Sequence, residues 1–492
     1  MVMSKTFFGH PIGLSTLFFT EMWERFSYYG LRPLLVLFMA ASLMENGFGM
    51  SRGEASAIVG IYAACVYLAA LPGGWIADRV IGLRRAILIG AALISLGHIF
   101  IGVSSYLSAK TPFFIGLIFV VMGTGLMKPN ISAIVGDLYP EGGSRRDAGF
   151  SIYYMGINIG AFLGNLVTGF LGEIYGWHFG FAAAGVGMLI GLVTFSLLAK
   201  STLGTLGLEK TAATGAIKLI LFSGLFVLAL LVWAVHTGLI AIHAEVVGEY
   251  MTYVLALVAV LYFVYLFTLG GLSYLEKQRV AVIFILFFAA CVFWSAFEQA
   301  PTSLNLFASD FTNRSLFGWT MPATWFQLIN SFFVIALAPV FAVIWVVLGA
   351  RGKDLSATNK FATGLFLTGV GFAFMIWASN AVLASGGALR VSMWWLTLSY
   401  FFQTLGELSI SPVGLSSMTK LAPKRFAGQM MGVWFLADSI GSLISGLVGG
   451  SVDPEKLEQM PYLFTVTTVF LLISALVLFA LSPVIKKYLT EE

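Results

Sequence analysis

Apolar residues run along this chain in long blocks, and charged residues, Gly and Pro mark the block ends. Runs such as 219–235 (LILFSGLFVLALLVWAV) and 252–272 (TYVLALVAVLYFVYLFTLGGL) show no two-residue alternation. At about 1.5 Å per residue, such a run crosses about 30 Å of hydrocarbon as a helix. A transmembrane β-barrel needs alternating lipid-facing and lumen-facing positions, so the pattern excludes it. The blocks predict fourteen helical spans near 13–43, 55–77, 86–106, 112–138, 147–174, 178–199, 213–236, 246–274, 280–309, 324–349, 359–384, 389–421, 427–449 and 460–485. Several are longer than a bilayer requires, which implies tilt, kinks or protrusion into water.

Composition agrees. The 492 residues are 59% hydrophobic and 10% charged, with mean hydropathy +0.92, whereas a soluble domain carries about 25% charge. The 44 Phe suit lipid, and the 54 Gly let spanning helices approach closely. A net charge of +4 without a basic block excludes a nucleic-acid partner. Cys65 and Cys291 form no spaced pair, and His98, His178, His236 and His243 have no ligand spacing, so no metal or cofactor is expected. Phosphate-cradling loops, nucleophile elbows and HExxH are missing from the sequence, which argues against an enzyme. The N-terminal segment lacks a small-residue cleavage site and carries Pro11, Glu21, Glu24 and Arg25, so it is expected to stay as a membrane helix.

Placing the N-terminus in the cytoplasm puts 19 Lys and Arg of the inter-span segments inside and 5 outside, with Arg25, Arg32 and Lys128 within spans. The opposite topology inverts that ratio, so both termini are expected to be cytoplasmic. The inner set includes Lys5, Lys210, Lys218, Lys353, Lys424 and Lys487. Spans seven and eight form a pair joined by HTGLIAIHAEVVGEY. Setting that pair aside leaves six spans plus six, the layout of the major facilitator superfamily, whose substrate site lies between halves near the midplane. The expected architecture is an all-α polytopic membrane protein of the major facilitator fold. Residues 1–200 form an N-terminal six-helix bundle, 201–279 a linker with two extra transmembrane helices, and 280–492 a C-terminal six-helix bundle.

Span two ends in GGWIADRVIGLRR (73–85). A positive-inside loop accounts for the arginines but not for the ordered Gly and Asp. The segment resembles the superfamily motif between helices two and three, which implies a conformational latch built from Gly74, Asp78, Arg79, Arg84 and Arg85. Span one contains EMWERFSYYGLR, in which Glu21, Glu24, Arg25, Tyr28, Tyr29 and Arg32 share a helical face. Each charge at mid-membrane costs about 2.5–3.5 kcal/mol, so these residues line a hydrated cavity or pair together. An internal Glu21–Arg25 salt bridge is the structural alternative, and it leaves Glu24 and Arg32 to be explained.

ExxERFxYYG resembles the signature of the proton-coupled oligopeptide transporter (POT/PTR) family, bacterial fourteen-helix type, and later motifs follow in order. FSIYYMGINIGAFLG (150–164) is similar to the family's FYxxINxG, with Tyr153 where Phe is usual. FWSAFEQAPTSLNLF (293–307), LGELSISPVGLS (405–416) and MMGVWFLADS (430–439) complete the resemblance over nearly the whole chain. It implies a symporter that imports di- and tripeptides with protons by alternating access. The implied proton-coupling residues are Glu21, Glu24 and Glu298. Arg25, Arg32, Lys128 and Tyr29 are implied for the peptide carboxylate, and Asn158, Asn330 and Glu407 for its amino terminus. Side-chain pockets fall to Tyr28, Tyr67, Trp294, Phe297, Ser411 and Trp434, although for any one aromatic ordinary helix packing competes. A monomer in the cell (inner) membrane is implied, with no cofactor beyond the coupling proton.

The charges support this without the family name. A zwitterionic peptide needs a paired group at each end. The N-terminal half supplies Arg25, Arg32 and Lys128, and the C-terminal half supplies Glu298, Glu407 and Asp438. Lys128 precedes Pro129, which bends a helix. Two residues depart from the family pattern, Ser331 in place of Pro and Asp438 in place of a small or neutral residue. A carrier of nitrate, an amino acid or another small anion on the same fold is the alternative, with a channel or receptor as the different-class reading.

Overall fold

The computed structural model describes residues 6–107, 109–141, 143–208, 215–241, 243–351 and 355–490. Of the expected inner cations, Lys5, Lys210 and Lys353 lie outside the described residues, and the side chains of Lys218, Lys424 and Lys487 are likewise not described. The helices are α1 (Gly13–Ala40), α2 (Arg52–Ile76), α3 (Leu83–Leu107), α4 (Lys110–Asp137), α5 (Gly143–Phe170), α6 (Trp177–Leu203), α7 (Gly215–His236), α8 (Ala244–Thr268), α9 (Tyr274–Phe297), α10 (Ser303–Phe311), α11 (Phe326–Ala350), α12 (Ala357–Ala384), α13 (Trp394–Lys420), α14 (Ala427–Gly449) and α15 (Gln459–Thr490). Among the described residues, eleven helices are long and apolar enough to cross a membrane. With α1, α7 and α13 they correspond to the fourteen expected spans. The charges of α1 and the polar run of α13 dilute those two helices, and the apolar stretch of α7 is only Leu221–His236.

The ninth span differs from its expected course. Its apolar block is continuous, yet α9 stops at Phe297 and helix resumes at Ser303. Pro301 supplies the reason, because it lacks an N–H and its ring clashes with the preceding turn. The freed Ala300 carbonyl accepts from Gln327 Nε2 at 3.4 Å and Tyr400 Oη at 3.4 Å, so the break stays hydrogen-bonded where lipid offers no partner.

The chain forms two compact units. The first contains residues 1–49 and 65–243, and the second contains 50–64 and 244–492, so α2 contributes to both. In the first unit α1 packs on α5 and α6, while α3 packs on α4 and α6. Helices α3 and α4 cross at Gly90/Gly123 and Gly97/Gly116, where an added Cβ would stand 2.5–2.7 Å from the facing carbonyl oxygen. In the second unit α12 packs on α13 and α15, α9 on α14, and α11 on α13. The first turns of α2 meet α14 at Gly60 and Gly446, where side chains on either helix would collide with backbone. Of the extra pair, α8 packs on α14, held by Tyr262 Oη donating to Gln429 Oε1 at 2.6 Å. The side chains of α7 point largely outward, Phe222, Phe226 and Trp233 among them. Two short hairpins also occur, and each turns through a Phe–Gly pair with positive φ, Phe8–Gly9 and Phe317–Gly318.

Candidate functional site

Helix α1 brings its four charges inside the first unit. Glu21, Glu24, Arg25 and Arg32 are each 6% exposed or less, although they sit in an otherwise apolar helix. Arg25 Nε lies 3.1 Å from Glu21 Oε1 and also contacts Glu24. The Glu21–Arg25 bridge that the sequence offers as the structural alternative is present, and Glu24 joins it on the same guanidinium. Arg25 and Arg32 lie over the Tyr28 ring, 5.2 and 5.8 Å from its centroid, and Tyr29 packs edge-on against Tyr28. The spacing of seven residues between the arginines is two helical turns, which places one tyrosine between them. Lys128 on α4 stands 4.4 Å from the centroid of Tyr67 on α2, and its charge acts on Glu24. Aromatic faces of this kind hold a cation without neutralising it. The first unit thus gathers Arg25, Arg32, Lys128, Glu21 and Glu24 around tyrosines.

Asn158 also belongs to the first unit, where its side-chain amide donates to the Tyr154 carbonyl at 3.0 Å. Its expected companions belong to the second unit. There Asn330 Nδ2 on α11 donates to Glu407 Oε2 at 2.9 Å and to Thr404 Oγ1 at 3.1 Å on α13. Thr404 was not singled out from the sequence, and its place one turn before Glu407 is the signal that finds it. Ser411, one turn after Glu407, has a buried Oγ with no hydrogen bond among the described residues. Ser331 is buried at the next position of α11.

Aromatic residues make the second cluster of that unit. Trp294 meets Trp434 at 6.2 Å and Phe297 at 5.6 Å between ring centroids, and Phe361 stands 6.3 Å from Trp434. Two glycines seat the indoles. An added Cβ at Gly414 would stand 2.2 Å from the Trp434 ring, and one at Gly441 would stand 2.4 Å from Trp294 Cβ. Asp438, one turn beyond Trp434, is buried on the same helix, and its charge acts on Cys291 of α9. Glu298 caps the C-terminal end of α9, where its carbonyl accepts from Ser445 Oγ and its side chain is 4% exposed. An ion pair that the sequence reading missed joins Arg52 at the start of α2 to Asp310 on α10, 2.8 Å apart. Burial pushes the Asp310 carboxyl above its ordinary value, while Arg52 pulls it down.

The turn between α2 and α3 uses its motif in an unexpected way. Ala77–Ile81 form a π-helical turn, and Gly82 closes it at φ 81°, a conformation that favours glycine. Asp78, Arg79 and Arg85 are exposed. Arg84 is buried and clamps the chain that leaves α6, donating from Nη2 to the Gly204 carbonyl at 2.9 Å and from its backbone N–H to Gly207 at 3.1 Å. The close approach of α2 to α4 falls at Gly73, where an added Cβ would stand 1.9 Å from the Gly125 carbonyl oxygen. At Gly74 it would meet only Pro129, at 3.8 Å.

These features define the class: a polytopic helical membrane protein of the major facilitator fold, with charge clusters buried inside its helix bundles. The chain belongs to the POT family, whose model matches residues 84–463. It is 45% identical to the peptide transporter YePEPT of Yersinia enterocolitica, over 99% of this chain and 97% of that protein. It is 37% identical to a di-/tripeptide transporter of Lactococcus lactis subsp. cremoris, over 98% and 97% respectively. Among solved structures it resembles peptide transporter POT in complex with sulfate, with a TM-score of 0.89 and 40% identity over 99% of this chain and 97% of that one. A POT family transporter bound to 5-aminolevulinic acid gives 0.87 and 35% identity over 98% of both chains.

Proposed function

We propose that this protein imports di- and tripeptides by alternating access, coupled to proton movement. The observation that carries the reading is the α1 face. Two arginines and two glutamates, almost wholly buried, share one helix, and Lys128 of α4 acts on Glu24 among them. Such charges in a membrane span are costly and mark a transport path. Arg25, Arg32 and Lys128, with Tyr29, supply donors for a peptide carboxylate. Asn158, Asn330 and Glu407 suit an ammonium group, since carboxylate and amide oxygens accept from it. The aromatic cluster of Trp294, Phe297 and Trp434 packs side chains of varied shape without reading sequence. Relatives named as peptide transporters support that substrate class.

Glu21, Glu24 and Glu298 are the proposed proton carriers. A carboxylate held by Arg25 stays ionised, and one whose cation is taken by the peptide carboxylate is easier to protonate. Peptide and proton then promote each other's binding, because coupling between sites is reciprocal. No group beyond the proton is required as cofactor. Gly74, Asp78, Arg79, Arg84 and Arg85 are proposed to act as the latch between transport states. The proposed setting is the cell (inner) membrane, with both termini cytoplasmic and the protein a monomer of two six-helix bundles joined by the extra pair. Counterflow of labelled dialanine in liposomes tests the substrate. Exchange blocked by excess unlabelled dipeptide supports peptide transport, and exchange of nitrate or single amino acids alone replaces it with the small-solute reading.

A further inference from the structure

The end of the first unit where α2 turns into α3 and α4 into α5 holds a cavity of about 830 Å3. Asp78, Asp137, Tyr139 and Arg146 line it, and on its α4 wall stands Ser132. Ser132 Oγ is 3.4 Å from the Tyr153 hydroxyl, and the Tyr153 side chain is buried at 5% exposure. That hydroxyl lies within interaction range of the Glu21 carboxylate on α1. Glu21 Oε2 is itself buried with no hydrogen bond among the described residues. Position 153 is where the motif FYxxINxG carries Phe. Tyr153 thus places a hydroxyl near Glu21 and Ser132 where the motif's phenyl ring would leave the carboxylate facing carbon.

We propose that Tyr153 and Ser132 form a hydroxyl relay that carries the coupled proton between Glu21 and the cavity. The proposal rests on the proton-coupled reading above. A protonated Glu21 donates to Tyr153 Oη as Tyr153 donates its own proton to Ser132 Oγ, and Ser132 donates to water in the cavity. Both hydroxyls end neutral, the carboxyl becomes a carboxylate, and the water becomes hydronium, so no phenolate forms. In the present arrangement Ser132 points its proton at the Lys128 carbonyl, 3.2 Å away, and rotation about its Cβ turns that proton to the cavity. The 3.4 Å gap is longer than the roughly 2.8 Å of a good hydroxyl pair, so conduction needs a small closure of α4 on α5. When Glu21 is ionised the Tyr153 proton turns back to it, which breaks the chain and limits leak.

Other charged groups around Tyr153 fit this role. From α1, Arg25 acts on it together with Glu21. Lys128 on α4 acts on Glu24. On α5 itself, Arg146 is engaged with the Phe150 ring at 5.7 Å. The titratable groups of α6, His178 and Lys200, sit near its two ends.

The test compares Tyr153→Phe and Ser132→Ala with wild type in proteoliposomes, reading labelled dialanine uptake driven by a pH gradient against exchange at equal pH. Phe is the residue of the motif, so the first variant is built to fold. Proton transfer by a positioned side chain is worth about 10²–10⁴-fold, so the ratio of driven uptake to exchange should fall at least about tenfold in each variant. The double variant should fall no further, and the solvent deuterium isotope effect on driven uptake should change with it. An unchanged ratio and isotope effect in Tyr153→Phe overturn the relay while leaving symport standing. Absence of gradient-driven uptake in wild type overturns the symport reading and the relay together.

Discussion

Gly73 and Gly74 are neighbours in one motif, yet the structure predicts opposite outcomes for Ala at the two positions. At Gly73 the new Cβ would stand 1.9 Å from the Gly125 oxygen and 2.4 Å from its carbon. Ordinary contact begins near 3.4 Å, so α2 and α4 must part by roughly 1.5 Å, and both sides are backbone with no rotamer to yield. Overpacking of a tight interior costs about 1–3 kcal/mol, a loss of about 5- to 150-fold in the folded population. At Gly74 the Cβ meets Pro129 at 3.8 Å, which is ordinary contact, and Ala is a better helix former than Gly by about 1 kcal/mol. Heating the purified variants and following the monodisperse fraction by size exclusion measures the difference. Gly73→Ala should lose thermal stability clearly, and Gly74→Ala should match or exceed wild type. Equal behaviour of the two would refute the helix register argued here.

Three further outcomes follow from the clusters. Arg25→Ala and Lys128→Ala should each abolish dialanine uptake in folded protein, because losing one partner of a buried charge pair costs about 2–5 kcal/mol; wild-type rates would remove both from the site. Deletion of the extra helix pair, with a short linker between Lys200 and Lys277, should leave a protein that folds and exchanges peptide. The outward side chains of α7 support this, and a folded product without exchange would give the pair a transport role. Burial raises the Asp310 carboxyl above 3.8. As pH rises from there, the unfolded chain ionises while the folded one still holds its proton, so stability should fall across that window. Asp310→Asn should flatten the slope in thermal unfolding measured upward from pH 3.8, and identical slopes would contradict the assignment.

The helical spans and the charged face of α1 were legible in the sequence because both are local. Block length sets the span, and spacings of three and four set the face. Contacts that depend on the register of one helix against another were not. Adjacent glycines differ by about 100° around a helix, so nothing local says that Gly73 rather than Gly74 meets α4. Arg84 sits in a motif that suggests a partner in the same turn, yet tertiary folding brings the chain at Gly204 to it. Arg52 and Asp310 lie in separate stretches that only the second unit joins. Pro301 was visible, but the apolar residues on both sides masked the end of α9.

Protons are proposed to drive peptide accumulation through the buried carboxylates. The most direct measurement is labelled dialanine accumulation in reconstituted vesicles under an imposed pH gradient or membrane potential, for wild type, Glu24→Gln and Glu298→Gln. Wild type should accumulate peptide, while both variants should lose accumulation and keep exchange at equal pH. Accumulation by both variants equal to that of wild type would contradict the proposal and place the coupling elsewhere.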